Sequence, residues 1–165
     1  MNAADVIEIY TELERLGVRI WIDGGWGVDA LLGRQTRPHA DLDIAVEENS
    51  VQALRTLLKR LGFQEALRDD STAWNFVLAD ADERKVDVHA IVFDAYGNGV
   101  LGPAELGQLY PAGALGGAGE INGATVRCVA PEFMVRFKTS YEPREVDRLD
   151  VAALRDRFGI YRFGI

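Results

Sequence analysis

Cysteine occurs once in this chain of 165 residues, at Cys128, so no intrachain disulfide can form and nothing points to an oxidising compartment. Histidine occurs twice, at His39 and His89, too few ligands for a histidine-rich metallohydrolase or a zinc site. Basic residues are in the minority: 18 Lys and Arg against 26 Asp and Glu leave a formal net charge of -8. That balance repels polyanions. With no basic stripe to meet phosphates, DNA and RNA are excluded as partners and a cationic small molecule is favoured. Long apolar runs are missing too. Residues 1–20 lack a basic start followed by an apolar run, and no stretch could span a bilayer, which predicts a soluble, cytoplasmic protein without a membrane partner. The length suits one domain with a substantial core, and no internal repeat is visible.

What is present falls into short elements. Asp5 is placed to cap a helix in which Val6, Ile9, Tyr10, Leu13 and Leu16 recur at helical spacing, with Gly17 as the stop. The strand "VRIWID" follows, then "GGWGVDALLG", a glycine turn opening a helix of about two turns from Trp26 to Leu32. Gln35 to His39 reads as a polar crossing into a strand. Ser50 is placed to cap a second helix, with Val51, Leu54, Leu57, Leu58 and Leu61 on one stripe and Gly62 closing it. Residues 74–91 predict a hairpin, in which Trp74, Phe76 and Leu78 alternate before an acidic turn. Glycine-rich residues 97–119 predict a loop, and "EINGATVRCV" a hairpin turning at Asn122 and Gly123. Pro131 opens a predicted helix through Tyr141. Pro143 opens another, with Val146, Leu149, Ala153, Leu154 and Phe158 as its apolar stripe. The expected organisation is a core over residues 1–96, with the loop, hairpin and C-terminal helices of 97–165 packed on the same domain.

The strand in "RPHADLDIAVE" carries an oddity. Side chains two apart on a strand share a face, so Asp41 and Asp43 stand side by side, where like charges repel and raise each other's pKa. Asp87 is a third acid on a strand. Val86 and Val88 point to one face of that strand, while Lys85, Asp87 and His89 point to the other. Two readings stand: the acids occupy a solvated sheet face, or they hold a cation. Mg²⁺ takes oxygen ligands, commonly a few carboxylates plus substrate phosphates.

The stretch "GWGVDA", Gly25 to Ala30, matches the glycine fingerprint of dinucleotide-binding folds and follows a strand as that motif requires. The crossover after it is too short for such a fold, because a helix of about two turns runs straight into "GRQTRPH". What remains is either a glycine turn allowing close packing or a helix N-terminus suited to phosphate. The second option, beside adjacent acids, describes a metal-nucleotide site. His39 reads as a satisfied surface or loop histidine.

"IDGGWGVDALLGRQTRPHADLDIAV" with "KVDVHAI" and "VRCVAPEFMVRFKTSYEPREVDRLDVAAL" resembles the small antibiotic nucleotidyltransferases of the DNA polymerase beta superfamily, the lincosamide nucleotidyltransferases and aminoglycoside 2''-adenylyltransferases. The resemblance implies an α/β (α+β) nucleotidyltransferase fold, a mixed sheet flanked by helices with a short helical C-terminal segment. It places the triphosphate at Gly24 and Gly25, where the wider superfamily has a serine after the first glycine. Asp41, Asp43 and Asp87 become the catalytic acids and ligands of two Mg²⁺ ions, with Asp87 as general base. Lys138 and Tyr141 fall near the nucleotide. The implied reaction moves AMP from ATP, or another nucleoside monophosphate from its triphosphate, to a hydroxyl of a small-molecule antibiotic, lincosamide in preference to aminoglycoside. A chain too small to enclose its substrate fully also fits a homodimer with sites near the interface. Two rivals remain: a nucleotidyltransferase-like binding or antitoxin-type module without catalysis, and a dinucleotide-dependent enzyme.

Overall fold

The computed structural model describes residues 1–161. Helix α1 (Ala3–Arg15) leads into strand β1 (Ile20–Ile22), helix α2 (Gly24–Leu32) and strand β2 (Asp41–Glu47). Helix α3 (Val51–Arg60) is followed by strands β3 (Gln64–Ala66), β4 (Asn75–Ala79), β5 (Lys85–Phe93), β6 (Gly99–Leu101) and β7 (Leu109–Tyr110). Strands β8 (Gly117–Ile121) and β9 (Ala124–Cys128) precede helices α4 (Pro131–Lys138) and α5 (Glu145–Phe158). Among the described residues no helix is long and apolar enough to cross a membrane.

One mixed sheet runs in the order β3-β4-β5-β2-β1-β9-β8, with β6 pairing to the far part of β5 and β7 to β6. Strands β2 and β5 are parallel, and β1 is antiparallel to β2. Alternation decides what each face carries. Leu42, Ile44, Val86 and Val88 are fully buried and join the core with Val6, Ile9 and Leu13 of α1 and Leu54, Leu57 and Leu58 of α3. Side chains at Asp41, Asp43 and Asp87 are thereby turned to the opposite face.

Both predicted hairpins form, β4 with β5 and β8 with β9. Asn122 and Gly123 have φ of 50° and 79°, the pair of positive angles that a two-residue turn following the strand twist requires. Several expectations need correction. Asn2, not Asp5, caps α1: its side chain accepts from the Asp5 N–H at 3.0 Å, while the Asp5 side chain accepts from the Asn2 N–H at 2.8 Å, a reciprocal box. Ser50 makes no cap bond, because a 3₁₀ turn at Glu48–Ser50 already gives it helical backbone angles. Helix α4 stops at Lys138, three residues before Tyr141, where the hydroxyls of Thr139 and Ser140 donate to carbonyls of the last turn. The segment 97–119 is not a plain loop. It contributes β6, β7 and the start of β8, since glycine lets backbone pair where a side chain would collide, as at Gly117, whose Cβ would meet the Cys128 carbonyl at 2.6 Å.

The apolar stripe expected for α5 is also displaced. Leu149 is 64% exposed, and the buried residues are Asp147, Asp150, Val151 and Leu154. Cations from α4 and from the crossing before β2 draw these two carboxylates inward.

Candidate active site

Asp23 ends the β1 region and caps α2. Its Oδ1 accepts from the Gly24 N–H at 2.7 Å, so the glycine turn is already the first turn of the helix. Gly24 has φ of 57° and lies so close to Asp43 that any Cβ there would run into the carboxylate. Gly25 abuts the other wall: a Cβ would collide with His39 and Arg37. The two glycines therefore let the helix start wedge between an acid and a cation. The N–H groups of Gly25 and Trp26 find no partner among the described residues, and the positive end of the helix dipole lies with them.

Around this turn lies a cavity of about 610 Å³, lined by Asp41, Asp43, Arg37, His39, Lys138 and Tyr141 among others. Six of the seven predicted site residues, Gly24, Gly25, Asp41, Asp43, Lys138 and Tyr141, meet there. The seventh, Asp87, is not part of the lining. It sits directly across from Asp43 in the β2–β5 register, two residues before His89, which does line the cavity.

The acid side is short of countercharge. Burial, then Asp41, Asp23 and Asp87, push the Asp43 carboxyl up to about 7, against a smaller opposing pull from Lys138. Oδ2 of Asp87 takes Nη1 of Arg68 at 3.1 Å, and its Oδ1 is buried without a hydrogen-bond partner, 3.8 Å from Nε2 of His89. Next to it runs a chain of hydrogen bonds. Tyr110 donates its hydroxyl proton to Oδ2 of Asp23 at 2.9 Å, and burial followed by the charge of Asp23 keeps the phenol well above its usual pKa. A phenol has one proton, so at 2.8 Å from Nδ1 of His89 it must accept, and His89 carries a proton on Nδ1.

The opposite wall is cationic. Burial by itself would lower the Lys138 ammonium, but Asp150 at 3.0 Å and Asp147 at 3.3 Å outweigh it and raise its pKa. Asp147 also accepts from Nε of Arg144 at 2.9 Å, and that bond holds its carboxyl below the usual range. Tyr141 is half exposed at the rim. His39 is not a surface residue: it is 6% exposed, packed at a tilt against Trp26 and bonded to Asp29.

The fit of Mg²⁺ rests on the donors present. Among the described residues no three His, Cys, Asp or Glu side chains form a closed cage. Mg²⁺ seldom uses one; it takes one or two carboxylates, substrate phosphates and waters. Asp41 and Asp43, adjacent and short of cations, with the orphaned Oδ1 of Asp87 opposite, match that donor set.

Sequence reasoning missed Asp23, Arg37, Tyr110, Asp147 and Asp150. Asp23, just before a glycine pair that opens a helix, carried a readable capping signal. Tyr110 sits in a glycine-rich stretch with no pattern, and the two α5 acids look like ordinary solvated positions.

The family described as aminoglycoside-2''-adenylyltransferase matches residues 5–154. A lincosamide resistance protein of Staphylococcus haemolyticus is 26% identical over 145 residues, spanning 86% of this chain and 87% of that one. A 2''-aminoglycoside nucleotidyltransferase of Klebsiella pneumoniae is 34% identical over 55 residues, 33% of this chain and 31% of that protein. Among solved structures, the lincomycin-bound lincosamide antibiotic adenylyltransferase LnuA superposes with a TM-score of 0.79 at 24% identity, over 93% of this chain and 96% of its own. ANT(2'')-Ia in complex with adenylyl-2''-tobramycin gives 0.73 at 19% identity, over 93% of this chain and 87% of its own. These likenesses show a mixed α/β nucleotidyltransferase fold, as expected from the sequence.

Proposed function

The chain belongs to the aminoglycoside-2''-adenylyltransferase family, a family of antibiotic adenylyltransferases, and from that premise we propose that it transfers AMP from ATP, with Mg²⁺, to a hydroxyl of a lincosamide and releases pyrophosphate. The observation that carries the reading is the meeting of a carboxylate pair, a glycine-opened helix and a cationic wall around one cavity. Preference for a lincosamide follows from extent of likeness: the lincosamide resistance protein matches along 86% of the chain, the aminoglycoside enzymes along 33%.

Asp41 and Asp43 would hold the metal, with Asp87 completing the set. Bound there, Mg²⁺ supplies charge stabilisation on the phosphates and lowers the pKa of the acceptor hydroxyl. The chain's own part begins with phosphate binding. Backbone N–H groups of Gly25 and Trp26 would meet phosphate oxygens at the positive end of α2. Arg37 and Lys138 line the same cavity and would donate to the phosphates, and Tyr141 at its rim would meet the nucleoside. A hydroxyl with a pKa near water's ~15.7 costs on the order of 12 kcal/mol to ionise at neutral pH, so a base must share the burden. Oδ1 of Asp87 would also be that base: Arg68 occupies the other oxygen, so the second lone pair of Oδ1 is left to take the proton, once an acceptor is seated against it, as the hydroxyl oxygen attacks the α-phosphorus and the bond to pyrophosphate breaks. The negative charge of the chain favours a cationic antibiotic.

The test is pyrophosphate release from ATP in the presence of lincomycin or tobramycin, with the product weighed by mass spectrometry. One pyrophosphate released per lincomycin adenylylated supports the reading. Transfer to tobramycin alone would reverse the choice of acceptor, and ATP binding without transfer to either would favour a non-catalytic module.

A further inference from the structure

The α5 carboxylates have no part in the transfer chemistry, yet Asp150 is 5% exposed and bonded to two residues of the cavity lining, Arg37 and Lys138. Its Oδ2 accepts from Nη2 of Arg37 at 3.1 Å and stands 3.0 Å from Nζ of Lys138. One oxygen thus ties the crossing before β2 to both α4 and α5. The other side of the Arg37 fork, Nη1, is 2.8 Å from Nδ1 of His39. A guanidinium only donates, so Nδ1 accepts and the ring proton lies on Nε2, facing Asp29. Asp29 is fixed in turn by the Thr36 N–H at 3.1 Å and hydroxyl at 2.6 Å. Arg37 is therefore pinned at two corners by acceptors that are themselves pinned. Its Nε is buried with no partner among the described residues, and the fork lies against Gly25.

We propose that Asp150 is a positioning residue for the nucleotide, holding Arg37 and Lys138 as a preformed pair of phosphate donors beside the Gly24–Gly25 turn. The proposal rests on the cavity being the nucleotide site. Left unheld, these two long side chains would each give up rotamer freedom on meeting a phosphate. Held by one buried oxygen, they meet it in place.

Asp150 acts on a polyanion in two ways of opposite sign. Its negative charge repels the phosphates, while its hold on the two cations presents donors to them. Asp150→Asn separates the two, with Mg-ATP titrated calorimetrically in the absence of antibiotic and a thermal melt as the folding control. Positioning predicts affinity weaker by about tenfold or more, as when groups that orient a binding shell are lost. It also predicts a raised KM for ATP with the KM for the antibiotic unmoved. Affinity that is tighter or unchanged overturns the proposal.

Arg37→Lys is the second arm, and its affinity alone can still overturn the proposal if Asp150→Asn does not fold. A lysine keeps the charge but cannot reach His39 and Asp150 together. Positioning predicts a loss of ATP affinity here too, and a double variant little worse than Asp150→Asn alone, since that change already breaks the link to Arg37. Additive losses, or wild-type affinity in Arg37→Lys, overturn it. A wild-type chain that fails to bind ATP overturns the nucleotide reading itself, and the first titration shows this ahead of the variants.

Discussion

Asp43 and Asp87 stand directly opposite each other on the parallel strands β2 and β5. Nothing in strand packing rewards that pairing, and burial together with the neighbouring acids holds the Asp43 carboxyl near 7 instead of its ordinary 3.8. A raised folded-state pKa means that the folded chain keeps a proton which the unfolded chain has already released. Stability from this group is thus full below about pH 4 and is lost as pH rises through 7. Asp43→Asn should be relieved of that loss. Relative to wild type in chelator, the variant should gain about 1–3 kcal/mol on going from pH 4 to pH 8, while transfer is abolished. Urea melts at the two pH values check it; a difference independent of pH would mean that Asp43 is not strained by its neighbours.

Gly24→Ala should fail for two separable reasons. The residue sits at φ of 57°, and its Cβ would strike the Asp43 carboxylate. A loss of about 1–3 kcal/mol is expected. Trimming the obstacle with Asp43→Ala should return part of that stability but no activity. An equal loss from Gly24→Ala in the wild-type and Asp43→Ala backgrounds, read from denaturant midpoints, would show that the close approach does not matter.

Tyr110→Phe removes the hydroxyl that links Asp23 to His89 and leaves a part-buried carboxylate oxygen and an imidazole N–H without this partner. The expected cost is about 1–3 kcal/mol of stability. Thermal melts of Tyr110→Phe and of the double variant with His89→Phe give the check: coupled residues lose less together than the sum of the single losses.

The parts of this site that repeat with a strand's period of two are legible in the amino-acid sequence. Asp41 and Asp43 have to share a face, and Asp87 has to oppose Val86 and Val88, because alternation admits no other arrangement. Asn122 and Gly123 announce their turn through the φ angles that only such residues reach readily. Asp147 and Asp150 are not legible. A pattern search weighs apolarity, so it turns α5 toward Leu149, whereas the helix is oriented by ion pairs to Lys138, Arg37 and Arg144, two of which come from other elements. His39 is misplaced for a related reason: its burial depends on Asp29 and Trp26 across the crossing. The glycine-rich stretch from 97 hides its strands because backbone pairing leaves no mark on side-chain pattern.

The most direct test of the account is single-turnover AMP transfer to lincomycin by wild type and Asp87→Asn, with ATP affinity measured alongside. If Oδ1 of Asp87 takes the proton, the chemical step should fall by roughly 10² to 10⁴ while most Mg-ATP affinity is kept, since Asp41, Asp43 and the phosphates still hold the nucleotide. Raising pH should recover part of the rate by supplying ionised acceptor. An unchanged rate would remove Asp87 from the reaction, and a loss of ATP affinity as large as the loss of rate would contradict its role as base and leave it a ligand of the nucleotide's metal.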